Sequence, residues 1–403
     1  MTICLVNNLF PPVASGGTEA VIQTTIDLLR RHGHRVVLIT TQATTPTDKK
    51  WAVEKSDGVT IYRFRPRNLY YYTDGGTQPV WKKILWHMFD SANTYDREVL
   101  REILEIEKPD VVHGHNLKGM SYTLPGICAA LHIPYVHTLH NYQLLHPFGT
   151  FMLEDTPPLF RPAIAARLYQ WQTRRLLRSV KMVISPSTLP LKLHQQAGFF
   201  SDATTAILPS PIELPEKPSP VLTPAATLRL VYFGALEPHK GIQDLLTAVQ
   251  DLPDSHWSLD VYGKGSLEAK LTSATTHQPN IHWRGYAQEK AVLASYDALV
   301  YPSRCWETQG LAMAEALAYG TPVIAARIGS IPETIQDGQN GFLYGAGQTT
   351  ELQQLLSACQ RDPSKLQKLR SAAQDSAVPF SVAAYETKLL AIYAGVRSVT
   401  RQT

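Results

Sequence analysis

The sequence predicts an α/β protein made of two doubly wound, Rossmann-like domains that face each other across a cleft. Short β-branched runs recur along the chain, and each is followed by a stretch long enough for a helix. Strands that alternate with helices form parallel sheets covered on both faces. With 403 residues and 44% apolar content, the chain is long enough for two such domains.

The predicted strands fall into a front and a back series. The front strands are 3–6, 36–40, 59–62, 111–113, 135–139 and 182–185, and the back strands are 230–233, 259–262, 298–301 and 322–325. Between the two series lies the proline-rich segment 208–224, which favours stiff extended structure outside a sheet. We therefore expect a domain linker there, with one domain over 1–210 and a second over 211–378. Ligands of such sheets bind beyond the carboxyl ends of the strands.

The charge distribution, the apolar runs and the cysteines of the sequence indicate which partners and which cellular compartment to expect. Residues 1–200 carry 22 Lys and Arg against 15 Asp and Glu, whereas the remainder carries 16 against 19. A basic front half suits an anionic lipid surface or an acidic acceptor, although such an imbalance is also typical of a solvated face. We expect no nucleic-acid partner. No apolar run approaches the roughly 20 residues of a membrane span, and we expect neither a leader peptide nor paired cysteines, which indicates the cytoplasm.

The segment 301–323 contains the most informative pair of acids. It predicts a strand end, a loop, a helix and the next strand. Every residue from Leu311 to Ala318 except Glu315 is apolar, so we expect a buried helix on which one carboxylate needs a partner.

This helix also predicts a binding site for an anion and for hydroxyl groups. Gly310, Leu311 and Ala312 would present first-turn N–H groups to a phosphate. Carboxylates accept hydrogen bonds from paired hydroxyls, so Glu315 and Glu307 would each hold one diol of a nucleotide sugar. The alternative is that Glu315 only complements the helix dipole and Glu307 is an exposed loop acid.

The two acids, separated by seven residues, lie in a pattern that resembles family 4 (group 1) retaining glycosyltransferases. The pattern is Pro-Ser…Glu…Gly-Leu…Glu-Ala-Leu-Ala-x-Gly-x-Pro-Val-Ile, and the resemblance continues through 329–333 and 337–343. It implies the GT-B fold, with an acceptor domain over 1–210 and a nucleotide-sugar donor domain over 211–378. It also implies a closing helix, 385–396, within a C-terminal stretch of about 379–403 that packs back onto the first domain.

Lys240 lies with Gly241 just after a predicted strand, at the start of a helix. A cation there would stabilise the negative charge that grows on the leaving diphosphate; the alternative is a surface lysine. The family usually has an Arg directly after the preceding glycine, where this chain has Ala235. Either Lys240 acts alone or another basic residue substitutes for that Arg.

Further donor contacts are implied by glycine-rich strand ends. Gly16 and Gly17 match the family's glycine loop, although tight-turn packing explains two glycines equally well. Gly263 ends a back strand, and Tyr286 lies where the family places the nucleotide base. No Asp-x-Asp motif occurs, so we expect neither a metal nor any other cofactor.

Four histidines, His113, His115, His137 and His140, follow two predicted strands. They could ligate a metal and make the protein a metal-dependent hydrolase. By resemblance, however, His140 contacts the transferred sugar near its anomeric carbon. His113, His115 and His137 then line the acceptor pocket or pack structurally.

The stretch 62–89 interleaves basic and aromatic residues. The basic residues are Arg63, Arg65, Arg67, Lys82 and Lys83, and the aromatic residues include Tyr70, Tyr71, Tyr72, Trp81 and Trp86. This mixture suits a membrane interface or a platform for sugars. We expect it to bind a saccharide or a lipid-linked acceptor.

The resulting prediction is a metal-independent, retaining glycosyltransferase in which His140, Lys240 and Glu307 act on the reacting sugar. It would use a nucleotide-diphosphate sugar and a saccharide or lipid-linked acceptor in cell-surface polysaccharide or glycolipid synthesis. An anionic membrane is a candidate partner, which would place the protein in the cytoplasm or peripherally on the inner face of the plasma membrane. The hydrolase and a non-catalytic nucleotide-sugar-binding protein are the alternatives.

Overall fold

The computed structural model of the protein describes residues 1–13, 16–45, 49–91, 93–153, 164–216, 227–250, 252–253, 256–287 and 289–400. The chain forms two compact units. Unit 1 takes most of the chain up to Leu208 and also the chain from Glu386 onward. Unit 2 takes Pro209–Tyr385 and a short segment that begins at Phe151.

Unit 1 is built on one sheet of eight strands in the order β3-β4-β2-β1-β5-β6-β7-β8. The strands are β1 (Thr2–Val6), β2 (Arg35–Thr41), β3 (Trp51–Ser56), β4 (Val59–Phe64), β5 (Val111–Gly114), β6 (Tyr135–Thr138), β7 (Met182–Ser185) and β8 (Thr204–Ile207). Every neighbouring pair is parallel except β3 and β4. The prediction of a wholly parallel sheet is therefore wrong at this one hairpin, where Asp57 and Gly58 make a tight turn with positive φ.

The helices of unit 1 connect these strands. They are α1 (Gly17–Arg31), α2 (Val80–Ser91), α3 (Thr94–Glu107), α4 (Leu124–Ala130), α5 (Ile164–Leu176) and α6 (Thr188–Gln196). Among the described residues, no helix has both the length and the apolar character needed to cross a bilayer.

Unit 2 has a six-stranded, wholly parallel sheet in the order β11-β10-β9-β12-β13-β14. The strands are β9 (Leu228–Phe233), β10 (Trp257–Tyr262), β11 (Ile281–Gly285), β12 (Ala298–Tyr301), β13 (Val323–Arg327) and β14 (Gly341–Gly345). The helices are α7 (Ile242–Gln250), α8 (Glu268–Ala274), α9 (Leu311–Ala318), α10 (Ile331–Thr334), α11 (Thr349–Arg361), α12 (Ser364–Gln367) and α13 (Arg370–Ser376). The predicted α/β class with two Rossmann-like units is confirmed.

The last helix, α14 (Val382–Thr400), begins earlier and ends later than the predicted 385–396. Its residues from Glu386 onward belong to unit 1. Tyr393 Oη lies 2.7 Å from His113 Nδ1, and Arg397 forms an ion pair with Asp110 at 2.8 Å. Within unit 1, the end of the chain is thus fixed to β5 and to the turn before it.

The proline-rich linker predicted over 208–224 is described only in part. Ile212 N donates to Phe380 O at 2.8 Å, and Val382 N donates to Ile212 O at 3.2 Å. Positions 217–224 lie outside the described residues. The start of the predicted linker is therefore attached to the end of unit 2 by backbone hydrogen bonds.

Candidate active site

The loop between β12 and α9 lies at the carboxyl end of the central part of the unit 2 sheet. Gly310 caps α9 with a left-handed backbone, at a φ of 84°. A Cβ at that position would lie 2.6 Å from Met313 Cε and 3.3 Å from Tyr301 Oη. The left-handed backbone is what favours glycine at this position, and it allows α9 to begin directly against the end of β12.

Two further glycines allow backbone segments to approach this loop. Gly241 has a φ of +69°, and a Cβ there would lie 1.8 Å from Pro302 O. Gly329 has a φ of +57°, and its Cβ would lie 2.6 Å from Glu307 N. Because only glycine fits at both positions, the Lys240 turn and the start of α10 close onto the loop from two sides.

A segment from earlier in the chain also braces the loop. Leu153 N donates to Arg304 O at 2.7 Å, and Trp306 N donates to Phe151 O at 2.8 Å. Met152 and Cys305 pair across this antiparallel bridge. The sequence contains no motif that predicts this pairing.

The carboxylate of Glu307 is held by several donors rather than exposed. Its Oε1 accepts hydrogen bonds from Lys240 Nζ at 2.7 Å, Ser303 Oγ at 2.9 Å and Tyr301 Oη at 3.0 Å. Its side chain is only 11% exposed, so the alternative of an exposed loop acid is wrong. Burial acts to raise the pKa of Glu307, but Lys240 and the hydroxyl donors outweigh it and leave the pKa lowered.

Lys240 is the cationic partner in this cluster. It lies in a 3₁₀ turn, Pro238–Lys240, that precedes α7. Burial alone would lower its pKa, but Glu307 raises it well above the ordinary value. The two groups therefore form a buried, ionised pair. This differs from the sequence-based picture, in which Lys240 faced only a diphosphate and Glu307 only a diol.

The charge of Glu315 is less compensated by polar partners than that of Glu307. Glu315 Oε2 is 3.1 Å from Lys290 Nζ. Burial raises the pKa of Glu315, and Lys290 offsets that rise only in part. Within α9, Glu315 shares its half-exposed edge with Leu311 and Ala312, whereas the other residues are buried. The predicted helix buried on every side is thus wrong for this one edge.

Lys290 is a residue that the sequence analysis missed. It begins a 3₁₀ turn, Lys290–Ser295, and its ammonium group lies 4.1 Å from the centre of the Phe233 ring. Phe233 ends β9, two residues before Ala235. A cation therefore lies close to the strand end where the family's Arg is absent. No local pattern around position 290 indicates this, because its partners come from distant parts of the chain.

The predicted base region lies at the ends of β10 and β11. Gly263 N donates to Gly285 O at 2.8 Å, and a Cβ on Gly263 would lie 1.8 Å from Gly234 O. Tyr286 follows β11 with an exposed side chain, and Arg284 Nε donates to Asp260 Oδ2 at 3.0 Å. The glycines bring three strand ends together and leave Tyr286 at the surface.

The glycine loop of unit 1 is used differently from the prediction. Gly17 begins α1, and Gly16 is its cap. Gly16 N donates to Glu19 Oε2 at 2.8 Å, and Asn7 Nδ2 donates to Glu19 Oε1 at 3.3 Å. One of the N–H groups expected to face a diphosphate is therefore taken by a carboxylate. Position 15, which precedes these glycines, lies outside the described residues.

The four histidines gather at the ends of β5 and β6 in unit 1. His115 Nδ1 lies 2.8 Å from His140 Nε2. His113 bonds through both ring nitrogens, to Tyr393 Oη and to Thr138 Oγ1 at 2.6 Å. His137 Nδ1 lies 2.9 Å from Tyr135 Oη. These contacts place His113 inside the protein with no ring nitrogen left for an acceptor, which disfavours the binding role predicted for it.

Burial makes this histidine cluster neutral. It lowers the pKa of His140 to about 4 and that of His137 to about 3, and those of His113 and His115 fall well below the ordinary value. His140 lies two residues after β6 and keeps partial exposure to solvent. It is the member of the cluster placed to meet a ligand.

The cluster does not have the arrangement of a metal site. The 2.8 Å between His115 and His140 is a hydrogen-bond distance, in which one imidazole N–H points at the lone pair of the other. Both nitrogens cannot then bind one cation. In the part of the chain that the structure describes, no group of three or more His, Cys, Asp or Glu side chains is arranged to hold a metal ion.

Comparison with protein families assigns the chain. The model described as Glycosyltransferase Family 4 matches residues 15–213, and the model described as Glycosyl transferases group 1 matches residues 227–362. The chain belongs to the family 4 (group 1) glycosyltransferases. The resemblance predicted from the two-acid pattern is confirmed, and the protein is a glycosyltransferase of the GT-B fold.

Two relatives that match most or all of the chain are distant in sequence. A protein in the cps region of Klebsiella pneumoniae is 25% identical over 83% of this chain and 87% of its own. Glycogen synthase of Mycobacterium tuberculosis is 22% identical over 100% of this chain and 96% of its own.

Solved structures share the fold at low identity. Sucrose-phosphate synthase from Thermosynechococcus elongatus has a TM-score of 0.73 at 17% identity, covering 99% of both chains. Anabaena Alr3699/HepE, solved in complex with UDP, has a TM-score of 0.67 at 16% identity, covering 98% of this chain and 100% of its own.

Proposed function

We propose that this glycosyltransferase moves a sugar from a nucleotide-diphosphate sugar to a hydroxyl of a saccharide or lipid-linked acceptor, with retention of the anomeric configuration and without a metal. The observation that carries the proposal is the buried Lys240–Glu307 ion pair at the end of β12. An ionised pair is costly to bury. In a family of sugar transferases, a fixed charge pair beside a helix N-terminus suits a reaction in which negative charge grows on a leaving diphosphate.

The donor's anionic part would lie against α9 and the two lysines. Gly310, Leu311 and Ala312 form the half-exposed first turn of α9, where N–H groups lack partners within the helix. Lys240 supplies a cation on the side of Glu307, and Lys290 supplies one on the side of Glu315. Two cations and a helix N-terminus together replace the charge of a divalent metal.

Lys290 would take the role of the Arg that the family has at the position of Ala235. The ammonium group of Lys290 lies over Phe233, at the end of the strand after which that Arg would follow. Its partner Glu315 is the less compensated of the two acids. On binding, Lys290 would turn toward the diphosphate while Glu315 accepts hydrogen bonds from the ribose hydroxyls.

In unit 2, Glu307 would accept a hydrogen bond from a hydroxyl of the transferred sugar, and in unit 1 the family resemblance assigns His140 to the same sugar. Glu307 is already oriented by Tyr301, Ser303 and Lys240, so a sugar hydroxyl meets a fixed acceptor. His140 is neutral at physiological pH because burial lowers its pKa to about 4. A neutral imidazole can donate or accept a hydrogen bond near the anomeric carbon without opposing an oxocarbenium-like transition state.

The bond changes follow from this arrangement. The bond between the anomeric carbon and the diphosphate oxygen breaks, and Lys240 with the α9 N-terminus stabilises the departing charge. The acceptor oxygen then bonds to the anomeric carbon from the face that the diphosphate leaves. The acceptor proton passes to the departing phosphate, so no protein base or covalent nucleophile is required.

The names of related proteins support a role in surface glycans or glycolipids. The relative from Klebsiella pneumoniae is named for its place in a cps region. A neighbour at a TM-score of 0.65 is the lipopolysaccharide outer core galactosyltransferase WaaB. An Arabidopsis thaliana relative, 24% identical, is a sulfoquinovosyl transferase. The acceptor of this chain would be of the same broad kind, a saccharide or a lipid-linked sugar.

The test begins with thermal shift measurements against UDP-, GDP- and ADP-sugars. The donor that stabilises the protein is then supplied with saccharide and lipid-linked acceptors, and the anomeric configuration of the product is read by NMR. We expect retention, and we expect activity to survive a chelator. Lys240→Met should lower the rate of transfer about 10²- to 10³-fold, whereas Lys270→Met, which changes an exposed lysine on α8, should leave it unchanged. Inversion, loss with chelator, or binding without transfer to any acceptor would each contradict part of the proposal.

A further inference from the structure

Helix α2 of unit 1 presents an apolar face to solvent. Six large apolar residues of α2 are exposed, with exposed fractions from 39% at Leu85 to 71% at Val80. They lie at positions i, i+1, i+4, i+5, i+8 and i+9 and are Val80, Trp81, Ile84, Leu85, Met88 and Phe89. At 3.6 residues per turn these positions cover about half of the helix. Helices at the surface of a soluble protein show the reverse pattern, with the polar face outward.

The inner face of α2 is attached to the rest of unit 1 by aromatic and polar contacts. Trp86 is buried, stacks on Tyr70 and donates from Nε1 to Tyr70 O at 2.8 Å. Asp90 is buried and accepts hydrogen bonds from Gly119 N at 2.9 and 3.0 Å. Trp86 and Asp90 both lie on the side of α2 opposite its exposed apolar residues.

Helix α5 adds a second exposed face on which apolar and basic residues alternate. Ile164, Leu168 and Trp171 are exposed and lie one turn apart. Arg167, Arg174 and Arg175 are exposed on the same side. A groove beside the helix is lined by Arg167, Trp171 and Arg174 together with residues 196–198. Ring and guanidinium groups thus alternate along one surface.

The loop 142–149 joins the two helices into one surface. Phe148 is exposed, and its ring lies 5.9 Å from that of His87 on α2. On the other side, Gln170 of α5 donates to Leu145 O at 3.0 Å, and Tyr169 donates to Gln143 O at 2.6 Å. We call α2, this loop and α5 the interfacial surface of unit 1.

The charge of the interfacial surface has one sign. Neither α5 nor the loop contains an Asp or Glu, and the only acid of α2 is the buried Asp90. The basic residues are Lys82, Lys83, Arg167, Arg174 and Arg175. The excess of basic residues in the first half of the chain is therefore partly concentrated beside exposed apolar side chains. A protein partner of mixed charge would not need this one-sided pattern.

We propose that the interfacial surface docks unit 1 onto an anionic lipid bilayer. The apolar side chains of α2, with Phe148 and those of α5, enter the boundary between headgroups and acyl chains. The lysines and arginines meet the lipid phosphates. This inference concerns unit 1 alone and does not depend on the chemistry proposed for unit 2.

Vesicle flotation of the full chain tests the proposal. We expect the protein to float with vesicles of equimolar phosphatidylglycerol and phosphatidylcholine, and far less with phosphatidylcholine alone. Raising the salt from about 0.1 M to about 1 M, which shortens the screening length from about 10 Å to about 3 Å, should weaken binding. Ile84→Glu should lower the partition coefficient by about tenfold or more. An apolar side chain that enters the bilayer is then replaced by a negative charge that the anionic lipids repel.

Matched controls come from the same unit. Ile106 on α3 is exposed to nearly the same extent as Ile84, 60% against 57%, so Ile106→Glu should leave binding unchanged. Arg167→Gln with Arg175→Gln should weaken binding severalfold, whereas Arg30→Gln with Arg31→Gln, which removes the same charge from α1, should not. Circular dichroism and thermal unfolding check that each variant folds.

Three outcomes would overturn the proposal. The first is failure of the wild-type protein to float with anionic vesicles. The second is equal binding by Ile84→Glu and the wild type. The third is a dimer in light scattering that Ile84→Glu dissociates while no form of the protein binds vesicles, which would assign the surface to a second copy of the chain.

Discussion

Glu307 and Glu315 lie in the same unit, Glu307 in the loop before α9 and Glu315 within α9, yet their surroundings are opposite. Glu307 Oε1 accepts hydrogen bonds from a lysine and two hydroxyls, and its pKa is lowered. Glu315 has Lys290 at 3.1 Å, lies on the half-exposed edge of α9, and has a raised pKa. The spacing of the two acids in the sequence does not indicate this difference in their surroundings.

Glu307 is therefore a charge already held by its partners, whereas Glu315 is available to bind the hydroxyl groups of a ligand. Glu307 is ionised and oriented before any ligand arrives, so it orders Lys240 and can orient a sugar. Glu315 is poorly compensated, and it gains most from hydroxyl donors that a ligand would bring. Substitutions of the two acids and of the residues around them separate these two roles.

The largest expected effect is that of Lys240→Met. Loss of the cation should lower kcat about 10²- to 10³-fold, as removal of a preorganised charge-stabilising group does elsewhere. It should also lower the free energy of unfolding by about 3–5 kcal/mol, because Glu307 is left as a buried charge without its cation. Transfer assays and urea unfolding measure the two effects.

The double variant Lys240→Met, Glu307→Gln sharpens that result. Removing both charges should restore most of the stability lost in the single variant but none of the activity. If the double variant is as unstable as the single one, the buried pair does not have the energetic role assigned to it.

Gly241→Ala should have the next largest effect. Its Cβ would lie 1.8 Å from Pro302 O, so the Lys240 turn has to move away from the Glu307 loop. We expect about 1–3 kcal/mol of backbone strain together with a large loss of transfer activity. Gly338→Ala is the control, since its φ of +75° is similar but nothing lies within 4 Å of its Cβ. Equal loss of activity in both variants would mean that the close approach is unimportant.

The two acids should show opposite dependence of stability on pH. The folded pKa of Glu307 is lowered, so its contribution is present above the unfolded value of about 4.3 and is lost as the pH falls through the folded value. The folded pKa of Glu315 is raised, so its contribution is present below about 4.3 and is lost as the pH rises through the folded value.

Urea unfolding of Glu307→Gln and Glu315→Gln between acid and neutral pH measures this opposition. The stability advantage of the wild type over Glu307→Gln should grow with pH, and its advantage over Glu315→Gln should shrink, each by on the order of 1 kcal/mol. Slopes of the same sign would show that the two acids have similar surroundings after all.

The sequence predicted the inner strands well and missed those at the sheet edges. Each of the ten predicted strands overlaps an observed one, whereas β3, β8, β11 and β14 were missed. These four are the outermost strands of the two sheets. A central strand is buried on both faces and reads as an apolar run, but β3, with the sequence WAVEKS, is largely exposed and carries charges.

The site was predictable where neighbours in sequence are also neighbours in space. Glu307, Gly310 and Glu315 lie within one strand-loop-helix segment, so spacing and the family pattern locate them. The partners of these acids, Lys240 and Lys290, come from other segments, and a sequence gives no distance between segments. The pairing of Lys240 with Glu307 is therefore a feature of the three-dimensional structure that the sequence does not predict.

We infer that Glu315 binds the nucleotide and that Glu307 binds the sugar. Calorimetry should compare a nucleoside diphosphate with its nucleotide sugar, taking the pair that the thermal shift screen selects. We predict that Glu315→Gln weakens both ligands by about tenfold, or about 1.4 kcal/mol. Glu307→Gln should weaken only the nucleotide sugar, by a similar factor. Equal losses for both ligands in both variants would contradict the division of roles.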